Sequence, residues 1–243
     1  MTISLRQYAV LTLALVALVA LASGPARAQQ ASGIESFPVR FHHPKTPNGE
    51  TIVLLHGSGG NETSLMEMAA QAAPNALLIG VGGRVTQDGT RRWYRRITPV
   101  AFDQTDIRKE ASAFAAFLRT LSKTYKLDPQ HTTLLGYSNG ANLIAAMALL
   151  HPEAVKRAIL MRPMPVLEQT PAANLAKASF LTIAGLSDKI YAPFAPALEG
   201  LLERNGASVD ARTIDADHML GAEDVAIVAN WLTAGRGLSP GLN

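Results

Sequence analysis

Thr132-Thr133-Leu134-Leu135-Gly136-Tyr137-Ser138-Asn139-Gly140-Ala141-Asn142-Leu143 is the stretch on which the fold turns. Thr132–Leu135 is a short β-branched and aliphatic run, the composition of a buried strand. Residues 139–150 are almost wholly apolar and stop at His151-Pro152, since proline disfavours helix at the residue before it. Between strand and helix stands G-x-S-x-G. A reactive side chain on so tight a turn needs strained backbone angles, and side chains two positions either side collide with neighbouring backbone. Glycine at 136 and 140 removes those collisions and leaves the Ser138 hydroxyl clear at a helix N-terminus, where free amides and the helix dipole favour negative charge.

Outward from this turn, strand-like runs recur at Phe37–Phe41, Thr51–Leu55, Ala76–Val81, Ala158–Met161, Phe180–Ala184 and Val209–Ile214. Helical patterns alternate with them. One begins at Ser64, where Ser64 and Glu67 have the spacing of a capping box. Another spans 105–125, with Ala113, Phe114, Phe117, Leu118 and Leu121 on one stripe. The last two cover 195–204 and 222–232. Steady alternation predicts an α/β fold, a doubly wound and mostly parallel sheet flanked by helices, with residues 29–243 as one domain.

A serine hydroxyl needs a base, and the base needs an acid to hold its tautomer. On such a sheet the chain order is Ser, then Asp or Glu, then His. His218, between the strand 209–214 and the final helix, is the candidate base. His151 ends the helix that Ser138 starts, ~18 Å away at 1.5 Å per residue, and His131 precedes the strand at the far end of the sheet. Asp188, just past the carboxyl end of the strand 180–184, is the leading acid, with Asp217, Asp215 and Glu168 as alternatives. Leu54-Leu55-His56-Gly57-Ser58-Gly59-Gly60 ends a strand in a glycine-rich loop. It lacks the Lys-Ser/Thr of a phosphate loop, and predicts that the amides of Ser58 and Asn139 form an oxyanion hole, with His56 holding the loop. Trp93 and Tyr94 are candidate walls of the acyl or alcohol pocket, with Phe102 nearby. Arg91, Arg92, Arg95 and Arg96 suit either an anionic substrate or a solvated face, and Met161, Met164 and Met219 sit near strand ends.

Composition narrows the classes. Hydrophobic residues are 48% and charged residues 17%, material for a packed core rather than a disordered chain. No cysteine occurs, which excludes disulfides, a thiolate metal site and a Cys nucleophile. Arg6, the apolar run Tyr8–Ala22 and Ala26-Arg27-Ala28 before Gln29 have the layout of a secretory signal over residues 1–28, predicting a periplasmic or secreted protein. The apolar run is shorter than the ~20 residues of a bilayer span, so no stable membrane insertion is expected after cleavage. Of 22 basic residues, Arg6 and Arg27 leave with the signal, and 20 remain against 19 acidic ones. A net charge of +1 carries no footprint for nucleic acid.

His56–Gly60, Gly136–Gly140, Asp188 and His218 fall in the order and spacing of α/β-hydrolases. Over residues 35–235 the chain resembles their small, nearly capless phospholipase/carboxylesterase group. The elbow Gly136–Asn142 resembles a form common there. Arg92-Trp93-Tyr94-Arg95-Arg96, followed by Phe102–Asp106, is similar to the group's aromatic-basic loop. It departs from the group in Asp217, where the relatives carry glycine before the histidine. The resemblance implies cofactor-free and metal-free hydrolysis of small carboxylic esters, often short-chain, by Ser138, His218 and Asp188 through an acyl-enzyme. Thioester, polyester, lysophospholipid and feruloyl substrates remain open at this point, as does a ligand-binding protein on the same fold.

Overall fold

The structure is a computed structural model that describes residues 37–234; the expected signal segment lies outside the described residues. Seven strands form one sheet: β1 (Val39–His42), β2 (Thr51–Leu55), β3 (Leu77–Val81), β8 (Thr132–Tyr137), β9 (Arg157–Met161), β10 (Ser179–Gly185) and β11 (Ser208–Ile214). Their spatial order is β1-β3-β2-β8-β9-β10-β11. Only β1 runs antiparallel to its neighbour; the remaining pairs are parallel. All seven runs expected from composition enter this sheet.

Parallel strands need crossovers, and helices supply them on both faces. α2 (Gln104–Tyr125), α3 (Asn139–Leu150) and α4 (Ala195–Arg204) cover one face, while α1 (Met66–Ala72) and α5 (Ala222–Ala234) cover the other. Successive side chains of a strand point to opposite faces, so adjacent residues feed different cores. In β2, Val53 and Leu55 join the α2/α3 side, whereas Ile52 and Leu54 join the α1/α5 side. β9 divides the same way, with Ala158 and Leu160 opposite Ile159 and Met161. This two-sided burial accounts for the unbroken aliphatic runs of the central strands.

Two local expectations are corrected. The Ser64–Glu67 capping box does not form. α1 starts at Met66 without a side-chain cap, because Ser64 Oγ instead accepts the amide of Asn61 at 2.9 Å and Asn61 Oδ1 accepts that of Thr63. The segment after β3, assigned neither strand nor helix by its sequence pattern, holds two small hairpins: β4 (Val85–Gln87) with β5 (Thr90–Arg92), and β6 (Arg96–Thr98) with β7 (Ala101–Phe102). Both lie over the carboxyl ends of the strands. Among the described residues no helix is long and apolar enough to cross a membrane.

Candidate active site

β8 delivers Ser138 to a sharp turn with φ 50° and ψ −113°, a positive φ on a residue that is not glycine. The flanking glycines make the turn possible. A Cβ on Gly140 would lie 2.3 Å from the Leu55 carbonyl oxygen, and one on Gly136 would lie 2.6 Å from the Ala141 nitrogen. Both obstacles are backbone, so neither can swing aside. The turn is pinned by the Ser138 amide donating to the Met161 carbonyl at 2.8 Å and by the Asn142 amide donating to the Ser138 carbonyl at 2.9 Å.

Asp188 and His218 arrive from the carboxyl ends of β10 and β11. His218 Nε2 lies 3.0 Å from Ser138 Oγ, and its Nδ1 lies 2.6 Å from Asp188 Oδ2. Because a carboxylate only accepts, Nδ1 carries the proton and Nε2 is left to accept from the serine hydroxyl. The second Asp188 oxygen accepts the Tyr191 amide at 3.1 Å, and the residue is 6% exposed. Three residues separated by 80 and 30 positions thus form one hydrogen-bonded line, within the reach required for proton transfer. The imidazole packs between the rings of Tyr137 and Tyr191, at centroid distances of 5.4 and 4.8 Å. The Tyr137 hydroxyl also donates to the His218 carbonyl, and burial holds that phenol above its ordinary range.

The loop carrying His218 is tied down by Arg162, a residue the sequence reading missed. Its guanidinium is buried and makes a two-pronged ion pair with Asp224 at 2.7 and 3.0 Å. Its remaining donors reach the carbonyls of Asp217 at 2.8 Å and Met219 at 2.9 Å, on either side of His218. Arg162 also has φ 53°, a positive value on a residue that is not glycine. Asp217, the departure from glycine, fits without positive φ, and its carboxylate accepts the Met219 amide. Asp217, Asp215 and Glu168 are absent from the line to His218; Asp188 fills that place. His131 pairs with Glu50 and His151 with Ser112, both away from Ser138.

On the opposite side lies the His56–Gly60 loop. His56 is buried; its Nδ1 meets the Gly57 carbonyl at 2.6 Å and its Nε2 accepts the Gly83 amide at 2.9 Å. Burial lowers its pKa from the usual 6.5, with Arg91 adding to the effect, which suits the neutral ring these bonds require. The amides of Gly59 and Gly60 are spent on the Arg91 and Gly57 carbonyls, while Ser58 stands at the rim of the cleft. Asn139 is buried at the start of α3, its side-chain oxygen accepting the Trp93 amide at 2.8 Å.

The cleft at Ser138 holds about 30 Å³ of solvent space and is lined by Ser58, Asn139, Tyr94, Phe102, Met164 and Tyr191, together with Arg92, Arg96 and Arg162. Tyr94 reaches it although the residue is fully buried. Its hydroxyl lies near the Asn139 and Asn142 amides without a well-formed bond, and burial raises its pKa. Trp93 does not line the cleft. It sits in the core against Phe37, Phe114 and His56, with its indole N–H donating to the His56 carbonyl, so the pocket-wall expectation is corrected for this residue. Of the three methionines, only Met164 lines the cleft; Met161 is in the core and Met219 is 67% exposed.

A sequence profile described as the alpha/beta hydrolase fold matches residues 50–205, well over half of the chain. The chain belongs to the α/β-hydrolase fold family. Among solved structures it is similar to a carboxylesterase from Mesorhizobium loti, at 48% identity over 81% of this chain and 94% of the relative, with a TM-score of 0.79. It is also similar to the Bacillus cereus carboxylesterase, at 31% identity over 82% of this chain and 95% of the relative, with a TM-score of 0.77. These relatives place it with hydrolases of the esterase type. Tyr137, Tyr191, Asn142 and Arg162 complete the surroundings of the site. Only Tyr137 and Asn142 lie within the elbow that the sequence singled out.

Proposed function

We propose that this α/β-hydrolase is an exported serine esterase acting on small carboxylic esters. Ser138 attacks the ester carbonyl, and His218 takes its proton and returns it to the leaving alkoxide. Asp188 holds the imidazole in the Nδ1–H form and stabilises the imidazolium. The amides of Ser58 and Asn139 receive the oxyanion, each contributing on the order of 3 kcal/mol to transition-state stabilisation. Water activated by His218 then releases the acyl group and regenerates Ser138.

The observation that carries this reading is the unbroken line Ser138 Oγ–His218–Asp188, at 3.0 and 2.6 Å, beside a strained serine turn. The solvent space beside Ser138, about 30 Å³ against the ~300–1,000 Å³ of sites for drug-sized ligands, favours short acyl groups. Ser138→Ala is expected to lower turnover of 4-nitrophenyl acetate by about 10⁴-fold or more with the fold intact; unchanged turnover rejects the assignment. Export rests on residues 1–28. A secreted or periplasmic form whose first residue is Gln29 is the expected product.

A further inference from the structure

The lining of the cleft carries a charge that the proposed esterase chemistry does not use. Arg92 is 8% exposed, yet among the described residues it has no ion pair. One of its nitrogens donates to Ser58 Oγ at 2.8 Å, while the buried Nε has no partner. Its neighbours in the same run are neutralised or solvated: Arg91 pairs with Glu62, and Arg95 points to solvent. Arg96, half-buried, lines the same cleft, likewise without an ion pair among the described residues. Arg162, the third guanidinium here, is cancelled by Asp224.

A buried guanidinium without a carboxylate is costly, and a second one beside it adds repulsion. Both act on Arg92, whose pKa is lowered first by burial and next by Arg96, against smaller opposing contributions from Tyr94, Tyr191 and Asp88. Such a pair is relieved by an anion entering the cleft. A carboxylate meets the flat donor fork of arginine better than any neutral group does. Because Arg92 reaches Ser58, beside the proposed oxyanion position, an anion held there lies next to an ester carbonyl seated at Ser138.

We propose that Arg92 and Arg96 form a carboxylate subsite, so that the preferred substrates are esters carrying a free carboxylate near the scissile bond. This rests on the esterase reading and adds the substrate's charge to it. The carboxylate belongs either to the acyl or to the alcohol part, and paired esters separate these. Mono-4-nitrophenyl succinate against 4-nitrophenyl butyrate reports the acyl side; 4-acetoxybenzoate against phenyl acetate reports the alcohol side. For one pair, kcat/KM of the anionic ester is expected to exceed that of the neutral one by roughly tenfold. In Arg92→Gln and in Arg96→Gln that ratio is expected to collapse toward one.

Neutral esters cleaved with no charge preference in either pair overturn the subsite and leave the esterase reading standing. A loss in Arg92→Gln that is equal for neutral and anionic esters also overturns it, by assigning Arg92 to the oxyanion alone. If Arg92→Gln does not fold, Arg96→Gln decides, since an unchanged ratio there removes the subsite. Failure to cleave any of the four esters defeats the parent reading, and the subsite with it.

Discussion

The two halves of the candidate site are held in place in opposite ways. Ser138 is positioned by what its neighbours lack: Gly136 and Gly140 have no side chains, so β8 can turn into α3 against the backbone of Leu55 and His56. His218 is positioned by something added from a distance. Arg162, 55 residues earlier than Asp217, reaches the carbonyls on both sides of the histidine and is itself anchored by Asp224. The contrast teaches that one half of the site is written locally and the other is written across the fold.

The largest break in this comparison comes from the distant half. Arg162→Met removes one partner of a buried ion pair and is expected to cost about 3–5 kcal/mol of stability. It also frees the His218 loop, so kcat for a neutral ester falls beyond what the unfolded fraction explains. Arg162→Lys keeps the charge but loses the fork, and is expected to fall between Met and the native residue in denaturant midpoint and in kcat. A folded Arg162→Met enzyme with native kcat contradicts the positioning role. Next comes the local half. Gly140→Ala forces a methyl group against two backbone carbonyls, and a loss of about 3 kcal/mol is expected, with turnover reduced because the turn and the Ser58 loop move together.

A third comparison uses acid. The native pKa of His56 is depressed by burial, so its contribution to stability is present above pH 6.5 and is lost as pH falls below that value toward the folded pKa. Thermal midpoints of the native protein are expected to drop across this window more steeply than those of His56→Gln. His131, raised by Glu50, acts in the opposite sense in both proteins and cancels from the difference. Equal slopes contradict the account of His56. The smallest effect belongs to Ser64→Ala. It removes the exposed bond from the Asn61 amide to Ser64 Oγ, and a loss of about 0.5–1 kcal/mol is expected by chemical denaturation; a similar loss in Glu67→Ala that is not additive with it restores the capping box.

These tests also mark where the sequence was readable. The five central strands follow from aliphatic runs because burial on both faces imposes that composition, whereas β1 and β11 at the edges are only partly buried and mix polar with apolar residues. The turn at Ser138 is readable because its glycines are steric necessities within five residues. Asp188 and His218 are readable through chain order. Arg162 is not, because its role lies in long-range bonds to main-chain carbonyls, for which any loop residue would serve as acceptor. The pocket expectation for Trp93 failed for a related reason. Within one aromatic-basic run, the backbone turns Trp93 into the core, brings Tyr94 and Arg92 to the cleft and leaves Arg95 in solvent. The alternation of the hairpins that sorts them is too short to leave a sequence period.

The most direct test of the central claim is covalent labelling of the purified protein with a fluorophosphonate, followed by peptide mapping. The account predicts one modified residue, Ser138, with labelling slowed severely in His218→Ala while that variant remains folded. Labelling at another residue, or a rate unaffected by removal of the imidazole, contradicts it.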